Sequence, residues 1–392
     1  MLSRIAQTLS QLREQSLYRR RQIVYGPQGP ELEVGGRRLL AFSSNDYLGL
    51  ANHPRVIQAF HDGAVRYGVG SGASQLITGH TAAHHALEEE LAAFFDRPRV
   101  LVFSTGYMAN LGVMSALAKR GDRIVQDRLN HASLLDAARL SGARLKRFAH
   151  RDMDALTRCI EDEHIGSTLL ATDAVFSMDG DRAPLKPMAD LANRHGFSMM
   201  VDDAHGIGVL GQTGRGSLEA EALAIEDVPI LVGTLGKSFG TFGAFVAGCD
   251  DLIEHLIQSA RSFIYTTAPP SAIAEASRES LKLIKDETWR RDHLNTLITA
   301  FRTGAGQLDL PLLVSDTAIQ PLLLGTPNRA LMMQDALLKQ GLLVNAIRPP
   351  SVPEGQSRLR ITLSAAHSEQ QVEQLLAALE RAFRGLACDA AH

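Results

Sequence analysis

Asp202, His205 and Lys237 are the residues of this sequence whose types and spacing could perform covalent chemistry. Asp202 follows the apolar run 198–201, and Lys237 follows the next run, 230–232, within the Gly-rich segment GTLGKSFG. If both runs are strands of an open α/β sheet, their carboxyl ends meet at one crevice. A partly desolvated lysine forms Schiff bases with carbonyl groups, and an aspartate facing a pyridine nitrogen keeps that nitrogen protonated. The pattern therefore predicts pyridoxal 5'-phosphate (PLP) bound covalently at Lys237.

The phosphate group of such a cofactor needs an anion site. Residues 104–110 (STGYMAN) follow the apolar run 100–103 and open a predicted helix, whose first N–H groups and dipole favour an anion. Thr234 can add a hydroxyl group, and His131 follows another predicted strand and could stack on the ring. Three glycines flank the lysine and predict space for a bulky adduct on its side chain: Gly236, Gly240 and Gly243.

Two other motifs point to different ligands, and their context disfavours both. Residues 206–211 (GIGVLG) match the G-x-G-x-x-G fingerprint, which would make the chain an NAD-dependent oxidoreductase. That fingerprint must lie between a strand and a helix N-terminus, whereas DDAH precedes it here and the loop-like QTGRGS follows. The GKS at 236–238 lacks the glycine that a phosphate-binding P-loop places five residues earlier, because Leu231 occupies that position.

Four residues could form a metal-binding cluster: His80, His84, His85 and Glu88. His80 and His84 are spaced i, i+4, which would place them on one face of a helix. The HExxH pattern is absent, and we expect the helix to begin only after Thr81, so this spacing need not be helical. We therefore interpret these residues as the polar start of a helix and predict no metal site.

The elements that position the site residues alternate along the chain. Apolar runs predict strands at 100–103, 124–125, 168–171, 198–201, 230–232 and 244–247. Helices are predicted at 83–95, 109–119, 134–141 and 186–195. This alternation is typical of an α/β fold with a mostly parallel, seven-stranded-type sheet and helices on both faces.

The sequence predicts one large domain, one small domain and an N-terminal segment. Residues 45–285 would form the large cofactor-binding domain, residues 286–392 a smaller α+β domain, and residues 1–44 a helical segment that packs on the small domain. An amphipathic helix would cover about the first 22 residues. In the small domain we expect a helix from 290–293 and strands at 319–324, 342–345 and 358–363, followed by a last helix capped by Ser368 with Gln371.

The composition of the chain limits the kinds of molecule that it could bind and the compartment in which we expect it. The 392-residue chain has a net charge of −3, which provides no global basic field for nucleic acid or an anionic membrane. Its three cysteines, Cys159, Cys249 and Cys388, form no CxxC pair, as is typical of proteins in a reducing cytoplasm. Since we find neither a signal-peptide core nor an apolar run of about 18 residues, we expect a cytoplasmic protein without a membrane partner.

Five segments together resemble the α-oxoamine synthases, which are fold-type I PLP enzymes: 42–50 (FSSNDYLGL), 131–141 (HASLLDAARLS), 175–185 (VFSMDGDRAPL), 201–211 (VDDAHGIGVLG) and 233–244 (GTLGKSFGTFGA). This resemblance extends in order over nearly the whole chain and implies a homodimer with shared active sites. Segments 42–50, 176–185 and 346–355 are most similar to the member that condenses L-alanine with a pimeloyl thioester of coenzyme A or acyl carrier protein. Glycine C-acetyltransferase is the alternative within the family.

The resemblance assigns roles to the matching positions. Lys237 would be the Schiff-base lysine, Asp202 would bond the pyridine nitrogen, His205 would bond the ring hydroxyl, and His131 would stack over the ring. The other positions that contact the cofactor would be Gly106, Tyr107, Ser177 and Thr234, with Thr266 and Thr267 reaching the phosphate in the second subunit. The substrate-binding positions would be Asn45 and Arg360 for the amino-acid carboxylate, Arg19 and Ser351 for the acyl chain, and His131.

The sequence departs from the family pattern at three positions. Asp173 stands where relatives often carry Glu, and Ile207 replaces a small hydroxyl residue. Ser351 stands where Thr is common. The first two changes affect residues behind the cofactor site, and the third affects the contact with the acyl chain.

Overall fold

The computed structural model of the protein describes residues 2–162 and 164–389, in two compact units. The small unit contains the described residues up to Gly49, Ser177–Asp181, and those from Asp292 onward. The large unit contains Leu50–Phe176 and Arg182–Arg291. The predicted domains begin at 45 and 286, close to these boundaries, but the sequence did not reveal that 177–181 belongs to the small unit. The predicted outer ends, residues 1 and 392, lie outside the described residues, as does the Cys388 side chain.

The helices and strands have the following bounds. The strands are β1 Val24–Tyr25, β2 Glu31–Val34, β3 Arg37–Ala41, β4 Arg99–Phe103, β5 Arg123–Asp127, β6 Arg144–Phe148, β7 Thr168–Asp173, β8 Ser198–Asp202, β9 Ile230–Thr234, β10 Ala244–Gly248, β11 Ile319–Gly325, β12 Leu342–Leu343, β13 Asn345–Ile347 and β14 Ser357–Thr362. The helices are α1 Leu2–Glu14, α2 Pro54–Tyr67, α3 Ala82–Phe95, α4 Gly106–Leu117, α5 Ala132–Ser141, α6 Met153–Glu161, α7 Leu185–Arg194, α8 Ser217–Ala220, α9 Asp250–Ser259, α10 Arg261–Ile264, α11 Ser271–Asp286, α12 Trp289–Gln307, α13 Pro327–Lys339 and α14 Glu369–Asp389. A π-helical turn covers Gln75–Gly79.

A seven-stranded sheet in the order β4-β10-β9-β8-β7-β5-β6 forms the centre of the large unit. Strands β5 to β9 are parallel, and β10 is antiparallel to both of its neighbours. Successive strand residues point to opposite faces, yet in β4 Val100 and Val102 are as buried as Leu101 and Phe103. Both faces are therefore covered, which is the environment that parallel strands require. The predicted fold class is confirmed.

The predicted strands of this sheet are all present, and each is one to three residues longer than its apolar run. The sequence missed β6, because its residues RLKRF include three basic side chains and form no apolar run. β6 lies at the edge of the sheet, where most of its side chains remain partly or fully exposed. An edge strand tolerates such residues, so its composition gives a weak signal.

The small unit contains two small sheets, β1-β2-β3-β12 and β11-β14-β13. The predicted single strand at 342–345 is wrong, because Leu342 pairs in parallel with Leu40 of β3 whereas Asn345 pairs with Arg360 of β14. The predicted cap of the last helix is confirmed, since Ser368 Oγ accepts a hydrogen bond from the Gln371 amide at 3.2 Å and Gln371 Oε1 accepts one from the Ser368 amide at 3.0 Å.

The prediction that residues 1–44 are helical is wrong beyond Glu14. Ser16 adopts a left-handed φ of 58°, and the amides of Leu17 and Tyr18 both donate to Leu12 O, which ends α1. The following chain forms strands β1 to β3. Gly35 and Gly36 make the turn between β2 and β3 with φ values of 57° and 72°, which glycine adopts without steric cost.

Within the part of the chain that the structure describes, we find no helix long and apolar enough to cross a membrane.

Candidate active site

Strands β8 and β9 end side by side in the large unit and bring two of the predicted site residues together. Asp202 is the last residue of β8 and pairs with Val232 of β9, while Lys237 lies three residues beyond the end of β9. The side chain of Lys237 turns back so that Nζ lies 2.8 Å from Nε2 of His205. His205 is buried and Lys237 is half-buried. The amine is thus held at the carboxyl edge of the sheet, where ligands of α/β proteins bind.

The Asp202 carboxylate is fixed by two donors. Oδ1 accepts a hydrogen bond from the Ala204 amide at 3.1 Å, and Oδ2 accepts one from Asn110 Nδ2 at 2.7 Å. Asn110 comes from the second turn of α4 and is 1% exposed. Sequence reasoning gave Asn110 no role, although a buried amide within the otherwise apolar GYMANLGVM could have marked it.

His131 is the N-cap of α5, and its ring is tied to Ser133. Nδ1 lies 2.8 Å from Ser133 Oγ and 3.3 Å from the Ser133 amide, which donates to it. The ring is exposed, yet desolvation by the surrounding protein lowers the pKa of His131. The Lys237 charge lowers this pKa further, and the Asp202 charge opposes both effects. These shifts favour the neutral imidazole.

Asp173 supports His131 from the adjacent strand. Its Oδ2 accepts a hydrogen bond from the His131 backbone amide at 2.6 Å, and Asp173 pairs in register with Asp202. Burial raises the pKa of Asp173 well above its ordinary value, and the negative charge of Asp202 adds to the shift. A proton on this carboxyl avoids two negative charges at adjacent strand ends.

The predicted phosphate turn is the N-terminus of α4, which begins at Gly106 rather than at the predicted 109. Thr105 caps the helix, with Oγ1 accepting a hydrogen bond from the Met108 amide at 3.2 Å. No atom lies within 4 Å of the place where a Cβ on Gly106 would be. Tyr107 is exposed and its hydroxyl donates to Asp136 Oδ2 at 2.5 Å. The turn therefore presents helix N–H groups beside open space.

The three glycines around Lys237 do not all provide space, which corrects the prediction. A Cβ on Gly240 would lie 2.3 Å from Ala51 N, and the φ of this residue is 67°. Gly243 has a φ of 125°. Only at Gly236 is the nearest atom at an ordinary distance, Thr234 Oγ1 at 3.6 Å. Gly240 and Gly243 thus shape the turn, and Gly236 leaves room beside the lysine.

Thr234 holds the Lys237 loop in place. Its Oγ1 donates to Gly243 O at 3.0 Å and accepts from the Gly236 amide at 3.2 Å. Thr266 and Thr267 follow α10, where Thr266 is half-buried and Thr267 is exposed. Roles for these three residues at the cofactor remain predictions.

The large unit therefore offers a donor set that fits PLP. Lys237 supplies an amine for the aldehyde carbon, Asp202 a fixed carboxylate for the ring nitrogen, and His131 an exposed ring for stacking. The N-terminus of α4 supplies open N–H groups for the phosphate. Residues of these types and positions suit the cofactor better than they suit a dinucleotide or a metal ion.

Arg360 is the centre of a separate cluster in the small unit. Nε donates to Ser177 O at 2.5 Å, Nη1 to Asn45 Oδ1 at 3.0 Å and Nη2 to Tyr47 Oη at 3.4 Å. The arginine is 8% exposed. Among the described residues its hydrogen-bond partners are neutral. A buried guanidinium group with neutral partners is suited to bind an anion.

Arg19 and Ser351, the predicted acyl-chain residues, also meet in the small unit, with Arg19 Nη2 3.4 Å from Ser351 Oγ. Both residues are exposed. Arg348 lies nearby, and burial together with the Arg19 charge lowers the pKa of Arg348. Sequence reasoning missed Arg348, although it belongs to segment 346–355, one of the segments that carry the family resemblance.

The histidine cluster of the large unit has a structural role. His84 Nε2 lies 2.8 Å from Pro269 O, and its Nδ1 accepts the Thr81 amide at 3.1 Å as part of a helix cap. Glu88 Oε1 accepts a hydrogen bond from the backbone amide of Val102, on edge strand β4, at 2.9 Å. His80 Nε2 lies 4.0 Å from Glu88 Oε2, wider than the ~3.4 Å between ligand atoms of a tetrahedral zinc site. His84 and Glu88 thus contribute to a helix cap and to the edge of the sheet, while the ligand atoms of His80, His85 and Glu88 lie within 4.8 Å of one another.

The GIGVLG motif is not a dinucleotide site. Residues 206–211 form turns, and the next helix, α8, starts only at Ser217 and spans four residues. A Cβ on Gly206 would lie 2.1 Å from Asp203 Oδ1. The glycine therefore makes room for a carboxylate of the protein itself, and the oxidoreductase alternative loses its basis.

Comparison with known proteins agrees with this site. The profile of the aminotransferase class I and II family matches residues 37–379. The 8-amino-7-oxononanoate synthase of Nitrosococcus oceani is 60% identical over 371 residues, which cover 95% of this chain and 98% of that protein. The serine palmitoyltransferase of S. paucimobilis, solved with a bound PLP–myriocin aldimine, has a TM-score of 0.93 at 30% identity over 98% of both chains. The 8-amino-7-oxononanoate synthase of Francisella tularensis has a TM-score of 0.78 at 32% identity over 89% of this chain and 99% of that one.

Fold and site together define a PLP-dependent enzyme of fold type I. The chain belongs to the aminotransferase class I and II family, and within it to the 8-amino-7-oxononanoate synthases, which are PLP-dependent acyltransferases. The predicted cofactor and enzyme class are thereby confirmed.

Proposed function

We propose that this protein condenses L-alanine with a pimeloyl thioester, forming 8-amino-7-oxononanoate, CO2 and a free thiol in biotin biosynthesis. The observation that carries the proposal is the 2.8 Å contact of Lys237 Nζ with His205 Nε2 beside the anchored carboxylate of Asp202. The thiol carrier is coenzyme A or acyl carrier protein, and the reaction takes place in the cytoplasm.

The bound PLP supplies an electron sink that stabilises negative charge on the substrate α-carbon. Lys237 would bind its aldehyde carbon, Asp202 its ring nitrogen and His205 its ring hydroxyl, while His131 would stack on the ring. The remaining contacts would come from Gly106, Tyr107, Ser177 and Thr234.

Lys237 is also the base that moves the protons of the reaction. Its amine removes the α-proton of alanine, and the α-carbon then bonds to the thioester carbonyl carbon as the C–S bond breaks. The sulfur leaves as a thiolate and takes a proton from water. The carboxylate departs as CO2, and a proton from Lys237 takes its place. The 2.8 Å contact with His205 Nε2 places the Lys237 amine at this edge of the sheet before the cofactor binds.

Arg360 would bind the carboxylate of alanine, because its buried guanidinium has only neutral hydrogen-bond partners among the described residues. A bound carboxylate would supply the negative charge that is missing among the hydrogen-bond partners of this buried guanidinium group. Asn45 would orient Arg360 and contact the same carboxylate. Arg19 and Ser351 would contact the acyl chain.

The active enzyme is a homodimer in which Thr266 and Thr267 reach the phosphate in the partner's site. Supporting this, Ile77 and Tyr265 are 75% and 71% exposed and lie in or next to the contacting elements Gln75–Gly79 and α10. Large exposed apolar side chains in one region are typical of interfaces. Ile77→Glu should convert the dimer to monomer in light scattering, whereas Val314→Glu, at an equally exposed position, should not; two dimeric variants would contradict the shared site.

Trapping at Lys237 tests the cofactor attachment. Borohydride reduction of the PLP-loaded enzyme should add the pyridoxyl group to the peptide that contains Lys237, as mass spectrometry detects. Lys237→Ala and the charge-retaining Lys237→Arg should both lose the adduct and turnover. An adduct on another lysine would overturn the assignment.

Substrate competition tests the reaction itself. The enzyme should prefer L-alanine over glycine and a pimeloyl over an acetyl thioester in kcat/KM. The opposite preferences would replace the proposal with glycine C-acetyltransferase. Coenzyme A and acyl-carrier-protein thioesters, compared at equal concentration, would identify the carrier.

A further inference from the structure

A continuous set of hydrogen bonds joins Asp202 to His131 through two buried side chains, Asn110 and Ser133. Asn110 Nδ2 donates to Asp202 Oδ2 at 2.7 Å and to Ser133 Oγ at 2.8 Å. Ser133 Oγ in turn lies 2.8 Å from His131 Nδ1. Asn110 and Ser133 are each 1% exposed, and the helices that carry them, α4 and α5, pack against each other. The two side chains that link Asp202 to His131 are therefore shielded from water.

The chemistry of the partners gives each hydrogen bond its direction. Asn110 must turn its NH2 group toward Asp202, since the reversed amide would face the carboxylate with an oxygen. Ser133 Oγ then accepts a hydrogen bond from Asn110 and has one proton of its own to donate, for which His131 Nδ1 is the acceptor at 2.8 Å. Nδ1 also accepts from the Ser133 backbone amide. The amide can only donate, so its contact requires Nδ1 without a proton, and the hydroxyl contact then runs from Ser133 to Nδ1. The proton of the neutral ring is therefore on Nε2.

We propose that Asn110 and Ser133 are positioning residues that hold His131 as its neutral Nε2–H tautomer, so that the ring donates a hydrogen bond to the thioester carbonyl oxygen as negative charge develops there. Nδ1 cannot serve in this step, because Ser133 already occupies it. A donor aimed at a developing oxyanion lowers the barrier without itself changing charge. The same Asn110 amide fixes Asp202, so one side chain orients two groups of the site. The role toward the thioester rests on the proposed function, whereas the tautomer does not.

The tautomer is directly measurable by nitrogen NMR. In the PLP-loaded protein labelled with 15N-histidine, the His131 ring, identified by the loss of its signals in His131→Gln, should show an unprotonated Nδ1 and a protonated Nε2 at neutral pH. Ser133→Ala keeps only the 3.3 Å amide contact, so a share of its rings should carry the proton on Nδ1. Ser133→Thr, which keeps the hydroxyl, should restore the wild-type tautomer. A wild-type ring protonated at Nδ1 would overturn the inference.

Kinetics separate positioning from a general loss of structure. Ser133→Ala should lower kcat for condensation about 10-fold, less than the roughly 10²–10³-fold cost of deleting an oxyanion donor. The KM for the thioester should change less than about 3-fold, since the donor acts mainly on developing charge. Exchange of the alanine α-proton without thioester should stay near the wild-type rate, and Ser133→Thr should recover kcat. A parallel loss of proton exchange would show a merely structural defect and contradict the proposal.

Different results would overturn the proposed function and the inference about His131. If the wild-type enzyme makes no product from alanine and a pimeloyl thioester, the proposed function fails while the NMR result for His131 stands. If the wild type is active but His131 carries its proton on Nδ1, the positioning inference fails and the function remains.

Discussion

Asp203 holds the loop after β8 through a pair of hydrogen bonds from Ser217: Oδ2 accepts the Ser217 amide and Oδ1 accepts the Ser217 hydroxyl, both at 2.6 Å. Both residues are buried, and the segment between them contains His205. Burial raises the pKa of Asp203 to about 7, and the Ser217 contacts oppose this shift. The second aspartate of the DDAH segment therefore anchors the loop that carries the Lys237 partner.

Asp203 should make stability depend on pH. Its pKa in the folded state is about 7, above the ~3.9 of an unfolded aspartate, so the folded state binds the proton more tightly. The stabilisation is fully present below pH ~4 and is lost as the pH rises toward 7. Between pH 5.5 and 8, the unfolding free energy of the wild type, measured with urea, should fall by about 2 kcal/mol more than that of Asp203→Asn.

The matched control for this measurement is Asp190→Asn, at an exposed helix position. It should keep the pH dependence of the wild type. If Asp203→Asn also keeps that dependence, Asp203 does not hold its proton in the folded protein.

Asp202→Asn tests the carboxylate that we propose for the ring nitrogen. An amide in this place cannot sustain a protonated pyridine, so exchange of the alanine α-proton should slow by roughly 100-fold or more, equivalent to about 3 kcal/mol in the barrier. The rate is measured by proton NMR of L-alanine in D2O. Asp190→Asn should exchange at the wild-type rate, and a similar rate in Asp202→Asn would remove the proposed role.

The glycines beside Lys237 should respond differently to the same added methyl group. In Gly240→Ala the new Cβ meets the backbone of Ala51 at a left-handed φ, so the variant should lose about 2 kcal/mol or more of stability. In Gly236→Ala the Cβ meets no close atom, and the thermal midpoint should change little. Differential scanning calorimetry would measure the thermal midpoints of both variants. Equal midpoints would contradict the conclusion that a Cβ fits at Gly236 but not at Gly240.

The sequence predicted most of the large sheet, because its buried parallel strands are apolar runs that end in polar residues at the site. It could not predict β6, because the edge position of this strand leaves its basic side chains exposed. It also missed the hairpin of β2 and β3, because the Gly35–Gly36 turn was overlooked. Segment 177–181 was also assigned to the wrong unit. This segment belongs to the small unit because of contacts between residues that are far apart in sequence, such as the hydrogen bond from Arg360 Nε to Ser177 O.

Residue types and order sufficed to propose Asp202, His205 and Lys237 as site residues, and the structure places Lys237 Nζ 2.8 Å from His205 Nε2. Asn110 and Ser133 were missed because an amide and a hydroxyl have no characteristic spacing. Their place between Asp202 and His131 becomes visible only in the structure, where α4 and α5 bring them together.

Arg360→Lys tests whether the geometry of the buried guanidinium group, and not only its charge, binds alanine. Lysine keeps the positive charge but cannot contact Ser177 O and Asn45 Oδ1 while binding a carboxylate through two further N–H groups. The KM for alanine should rise about 10-fold or more, with little change in the KM for the thioester. Arg358→Lys, on the same strand, should preserve the ion pair with Asp179 and leave the alanine KM near the wild-type value. Equal effects of the two substitutions on alanine would show that Arg360 only stabilises the small unit, and the carboxylate would then need another binding residue.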